Sequence, residues 1–277
     1  MSAPLELSGI RTVFFSPTGG VRKLVTTLAQ DFAQQLDLPI AKTDFTLPQA
    51  RETSYEFSPS ELVLFASPTY AGKLPNKLLP YISSGFVGNG APAVALIGFG
   101  NRSFDNALAE LVSCLEGDGF SLVGAGAFSN RHAFSQTLAA DRPDEADLSE
   151  LNQFACAIAD VVRGKREATS PLDVPGDAEA PYYRPIGLDG EPTVFLKAKP
   201  VTDMSLCDQC GLCPRRCPMA AIDFNDVSQT PGTCIKCHAC VRLCPQGAKS
   251  FEDPAFLSHR GMLERDYQRR AEPVWFV

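Results

Sequence analysis

The feature that most constrains this chain is a duplicated cysteine run. Cys207, Cys210, Cys213 and Cys217 are followed directly by Pro218, and Cys234, Cys237, Cys240, Cys244 and Pro245 repeat the pattern at an offset of 27. Eight of the ten cysteines lie in this stretch, while Cys114 and Cys156 stand alone. The segment Met1 to Ile10 has no basic region followed by an apolar run, so a cytoplasmic location is expected. Thiols kept reduced there serve as metal ligands in preference to disulfides.

The spacing Cys-x2-Cys-x2-Cys-x3-Cys-Pro is that of bacterial 4Fe-4S ligation. Three thiolates on a tight loop hold three corners of a cubane, and the fourth cysteine ligates the other cluster. Cys207, Cys210, Cys213 and Cys244 are therefore assigned to one 4Fe-4S cluster, and Cys217, Cys234, Cys237 and Cys240 to a second. Two tetrahedral zinc sites would use paired Cys-x2-Cys units, with no need of a Cys-Pro after each triplet. Pro218 and Pro245 withhold an N–H beside the last ligand, and the small Gly211 and Ala239 leave room for amides to approach sulfur. His238, between two ligands, reads as a surface side chain. Cys114 and Cys156 fall on helical apolar stripes, where a free cysteine packs as a small hydrophobe.

At 277 residues with 44% apolar content, the chain is long enough for about two domains. The first 164 residues alternate apolar strand runs with amphipathic helical ones, as a parallel sheet covered on both faces requires. Strands are predicted at Ile10–Phe15, Pro39–Thr43, Leu62–Ala66, Ala93–Gly98 and Leu122–Phe128. Helices are predicted from Gly20, where Val21, Leu24, Val25, Leu28, Phe32 and Leu36 form one stripe, and at Asn76–Ser83, Phe104–Glu116 and Leu148–Arg163. Five strands in this rhythm fit a flavodoxin-like doubly wound α/β sheet of order 2-1-3-4-5. Residues 165–200 lose periodicity and carry recurrent proline, so they read as a linker. Residues 201–252 form the cysteine unit. Residues 253–277 form a tail with a short helix, Met262–Arg270, and an apolar end expected to pack on a domain.

After the first strand comes Ser16-Pro17-Thr18-Gly19-Gly20, and a short polar loop at a helix N-terminus suits a phosphate. No Walker or dinucleotide fingerprint is present, so a phosphate monoester fits best. The third strand ends in Thr69-Tyr70-Ala71-Gly72 and the fourth in Phe99-Gly100-Asn101, with Phe104 and Asp105 close behind. In such a sheet these loops converge at the switch point where FMN would lie. Tyr70 is suited to stack on the ring, and the Gly100-Asn101 amides to meet its polar edge. His132, after the fifth strand, is a weak catalytic candidate for proton donation, against the plainer reading of a loop histidine without a role.

Ser-Pro-Thr-Gly, Pro-Thr-Tyr-Ala-Gly and Gly-Asn-Arg-x-Phe-Asp, followed by the cysteine repeat, resemble the flavodoxin-ferredoxin fusion proteins of anaerobic bacteria. The resemblance spans nearly the whole chain and implies FMN and two 4Fe-4S clusters, with a small C-terminal α+β ferredoxin domain. Flavodoxin loops often carry a Thr where Val21 stands, so one phosphate contact is missing here. The expected function is electron transfer between one-electron clusters and a one- or two-electron flavin, serving a redox protein partner. The alternative is an FMN-dependent reductase acting directly on a small-molecule acceptor. A net charge of -7 argues against nucleic-acid partners, and no apolar run is long enough for a membrane span.

Overall fold

A computed structural model describes residues 3–167, 169 and 171–277. Met1 and Ser2 of the expected first domain, and Ala168 and Ser170 of the expected linker, lie outside the described residues. The principal elements are β1 (Gly9–Phe14), α1 (Gly20–Leu36), β2 (Ile40–Asp44), β3 (Glu61–Pro68), β4 (Pro92–Phe99), α2 (Ala107–Gly117), β5 (Ser121–Ser129), α3 (Glu145–Val162), α4 (Pro254–Asp266) and β6 (Val274–Phe276). They build one six-stranded sheet, ordered β6-β5-β4-β3-β1-β2. Pairs β1/β2, β1/β3, β3/β4 and β4/β5 are parallel, and β6 runs antiparallel along β5. The five parallel strands thus lie in the order 2-1-3-4-5 with helices on both faces, a flavodoxin-like α/β fold.

Side-chain alternation sends Val63, Phe65, Ala93, Ala95 and Ile97 to one core with Leu108, Leu111 and Leu115 of α2. Leu62, Leu64, Val94 and Leu96 go to the other, against Leu24, Leu28 and Phe32 of α1 and Phe154 and Ile158 of α3. Both faces are dry, which is why these strands read as unbroken apolar runs. No helix among the described residues is long and apolar enough to cross a membrane.

Element ends differ from expectation where polar contacts set them. The helix predicted at Asn76–Ser83 is a single turn, Leu79–Ile82, because Pro80 has no N–H and is accommodated only in a first turn. The next starts at Ala107, not Phe104, since Asp105 sits at φ 43°. Helix α3 begins before Leu148 because Asp144 and Asp147 form a reciprocal capping box, which apolar periodicity does not register. Likewise α4 starts at Pro254 behind the Asp253 cap. Cys156, expected on an apolar stripe, is exposed, whereas Cys114 packs on the α2-side core.

The Pro-rich stretch is no free spacer. Lys73 Nζ donates to Ala178 O at 2.7 Å and Ala180 O at 2.9 Å while paired with buried Glu110 at 3.0 Å. Tyr183 N–H donates to Ala71 O at 2.8 Å, and the Arg102 guanidinium lies 3.9 Å above the Tyr183 ring centre. These contacts are irregular in sequence, so no period betrays them. The apolar end does more than pack: as β6 it covers the β5 edge, an unpaired ladder that would otherwise invite foreign strands.

In the cysteine unit the duplication is visible in the backbone. Helical turns Leu212–Arg215 and Ala239–Arg242 occupy equivalent places, each preceded by a left-handed residue, Gly211 at φ 68° and His238 at φ 61°. Gln209 and Lys236 match in the same way at φ 55° and 56°. The two-residue strands Val201–Thr202 and Lys249–Ser250 pair antiparallel and close the unit.

Candidate functional site

Two cavities open within the cysteine unit. Cys217, Cys234, Cys237 and Cys240 line one, together with His238 and Phe251. Cys207, Cys210, Cys213 and Cys244 line the other, beside Lys249. Each cavity therefore takes three thiols from one run and the fourth from the other. Among the described residues no three His, Cys, Asp or Glu side chains gather closely enough to hold a single metal ion. The sulfurs surround a space instead of meeting at a point.

Backbone amides turn toward these sulfurs at repeat-equivalent positions. Ala221 N–H donates to Cys217 Sγ at 3.2 Å and Ala248 N–H to Cys244 Sγ at 3.3 Å, while Lys236 N–H reaches Cys234 Sγ at 3.4 Å. Burial, reinforced by Cys234, pushes the Cys240 thiol up to about 12, and Cys237 is raised strongly for the same reason. Thiolates in so dry a place need a cationic centre among them. His238 is not on the surface. It is 5% exposed, stacked 4.5 Å from Phe251 with Phe134 at 4.9 Å, and its Nε2 has no partner.

The loops at the carboxyl ends of β1, β3 and β4, adjacent strands of the sheet, carry the other predicted residues. Gly19 adopts φ 89°, which lets the chain turn into α1, and Ser16 Oγ accepts from Arg22 N–H at 2.9 Å. Thr18 and Gly20 flank this turn, whereas Val21 is buried in the α1-side core. Tyr70 and Lys73 close a tight hairpin through Ala71 at φ 48° and Gly72 at φ 78°. Thr69 Oγ1 is buried without a hydrogen-bond partner, as is Ser129 Oγ at the end of β5. Such orphaned hydroxyls mark where a polar ligand would complete the site. Burial, with Cys237 and Cys234 nearby, raises the Tyr70 hydroxyl far above its usual range.

The β4 loop is partly committed to structure. Phe99 is core, T-stacked on Phe104 at 5.6 Å, and Asp105 pairs with Arg102. The Asn101 side chain donates to Tyr267 O at 2.7 Å and Arg269 O at 2.6 Å and accepts from Ala271 N–H at 3.1 Å. It ties down the tail, leaving only the loop backbone for a ligand. A side chain at Gly100 would collide with the His132 ring, which occupies that space. His132 Nδ1 accepts from Phe134 N–H at 3.1 Å, and burial, with His259, Arg242 and Arg102 nearby, holds the ring well below its ordinary pKa.

Three contributors carry no motif. Arg242, inside the second cysteine run, donates to His132 O at 2.7 Å, to Ala133 O at 3.2 Å and to Ser135 O. Arg51 donates to Phe45 O and Thr46 O, both at 2.8 Å, and to Pro218 O. The Asn130 side chain fills the gap between Gly20 and Gly98, where a Cβ at either would stand 2.9 or 2.6 Å from its Nδ2. With Met219 and Ile235 packed on the α2-side core, these arginines set the second cavity against the carboxyl end of the sheet.

No protein-family model and no curated sequence matches the chain. Among solved structures it is similar to a flavodoxin from the domain Archaea, at 13% identity and TM-score 0.39, over 56% of this chain and 99% of that one. The Streptococcus pneumonia TIGR4 flavodoxin gives 14% identity and TM-score 0.39, over 57% of this chain and 99% of that one. Rubredoxin oxygen:oxidoreductase from Desulfovibrio gigas gives 14% identity and TM-score 0.38, over 59% of this chain and only 37% of that one.

Proposed function

We propose that the chain is an electron-transfer flavo-iron-sulfur protein, passing electrons between two 4Fe-4S clusters and FMN for a redox partner. The observation that carries this reading is the crossed division of eight cysteines between two cavities. In this reading residues 3–164 hold FMN and residues 201–252 hold the clusters. Bound there, the clusters exchange single electrons and the flavin one or two. The loop Ser16–Gly20 receives the phosphate, and Thr69 and Tyr70 meet the ring, with the Thr69 hydroxyl finding its missing partner. Arg51 and Arg242 fix the spacing of the two halves. The Pro-rich segment, pinned at Ala178, Ala180 and Tyr183, walls one side. His132 is held neutral and packed on Gly100, so nothing in its setting favours a reductase with His132 as proton donor.

Anaerobic reconstitution followed by elemental and flavin analysis tests this. About eight iron, eight sulfide and one FMN per chain are expected. Zinc without sulfide, or tighter binding of FAD than of FMN, overturns the corresponding half.

A further inference from the structure

The two cysteine cavities face different surroundings. The second is internal: Cys237 and Cys240 are buried, Pro218 O accepts from Arg51, and Arg242 is anchored on the loop after β5. The first is peripheral. Cys210 is exposed, and the bonds of its loop stay within the unit, as with Arg215 Nη2 to Cys210 O at 2.5 Å and Gln246 Nε2 to Asp208 Oδ2 at 3.1 Å.

The edge of the first cavity has its own chemistry. Met204 and Leu206, in the chain between the lining residues Thr202 and Cys207, are 48% and 52% exposed and offer apolar contact there. Between positions 203 and 226 stand Asp203, Asp208, Asp223 and Asp226 against Arg215 and Arg216. A cluster with four thiolates adds about -2 to that acidic balance. Val227, next to Asp226, itself lines the cavity.

On the two-cluster and FMN reading above, we propose that the first cavity is the port for intermolecular electrons and the second an internal relay to the flavin. The occupant of the port is a small one-electron carrier protein with a cationic rim around its own redox centre. Apolar contact holds it and charge steers it. Each carrier molecule is oxidised by one electron as the port is reduced. Two such transfers, with protons from solvent, take one flavin from oxidised to fully reduced.

The test uses the full reconstituted chain, with iron, sulfide and FMN assayed first. Failure at that stage overturns the cofactor reading, not the port. Reduced methyl viologen, a radical cation that surrenders one electron, is then mixed with the protein and flavin bleaching is followed. The variant pair Gln209→Lys and Asp226→Lys puts positive charge at the port. Gln209 is a safe place for it, because the repeat carries Lys236 at the equivalent left-handed position. Flavin reduction is expected to slow about fivefold at low ionic strength, and the difference to close in high salt. A viologen with one sulfonate arm, whose one-electron-reduced form carries no net charge, is expected to reduce both proteins equally. Glu179→Lys, on the Pro-rich wall beside the β3 loop, is expected to follow the parent. The proposal is overturned if Glu179→Lys slows viologen and the port variant does not, because electrons then enter at the FMN loops. It is also overturned if neither slows it.

Discussion

Thr69 closes β3 with a hydroxyl that is buried and unpaired, an arrangement that costs stability until something accepts or donates there. Replacing it with Val separates the ligand-free and ligand-bound states. The flavin-free protein is expected to melt at the same temperature or slightly higher, while FMN binding weakens about tenfold, near 1.4 kcal/mol. Equal FMN affinity in the two proteins would place the flavin elsewhere. His132 makes a different prediction. Burial lowers it from 6.5 to about 3, so the folded chain stays unprotonated at pH values where the unfolded chain takes up a proton. The stability linked to it is full above the unfolded value and is lost as pH falls from 6.5 toward 3. His132→Gln should flatten the stability profile between about pH 6 and 4 by up to about 1.4 kcal/mol per pH unit. Denaturant midpoints across that range would reveal an unchanged slope if the ring were solvated.

Among the elements, β6 is the most informative, since it carries the only Trp in the chain. Trp275 lies 5.7 Å from Phe154 and donates from Nε1 to Glu150 Oε2 at 3.2 Å, so its fluorescence reports tail docking. Asn101→Ala removes three bonds to the tail and should cost about 2 kcal/mol, with Trp275 emission shifting red before the rest of the sheet melts. A single unchanged transition would mean that strand pairing alone holds β6. Legibility follows the same division. Elements defined by a buried periodic face, such as β3, β4 and α1, end within a residue or two of their expected limits. The start of α3 rests on Asp144 and Asp147, and that of α4 on Asp253 and Pro254, signals present in the sequence but invisible to an apolar count. The cysteine cavities were legible because spacing alone dictates which thiols share a loop. Arg51, Asn130 and Arg242 were not, because the contacts that matter are long-range and leave no local pattern.

For the molecule as a whole, two arginines and a pinned Pro-rich segment make one working unit of the halves. On the proposed two-cluster and FMN reading, reduction of the clusters by a flash is expected to be followed by flavin reduction at a rate independent of protein concentration. Arg242→Met removes the bonds to His132 O, Ala133 O and Ser135 O, and the rate should fall while iron, sulfide and FMN contents hold. A rate rising with concentration would assign the transfer to pairs of chains.

The pairing of β6 with β5 also has a temporal side. Gly126 and Trp275 are partners across more than half the chain, with the whole cysteine unit made between them. A ribosome thus releases a sheet whose edge stands open while both cysteine loops emerge, and the sealing strand arrives only afterwards. Completion of the cysteine unit and closure of the sheet become consecutive steps in the biogenesis of the protein, with the open edge as the window between them.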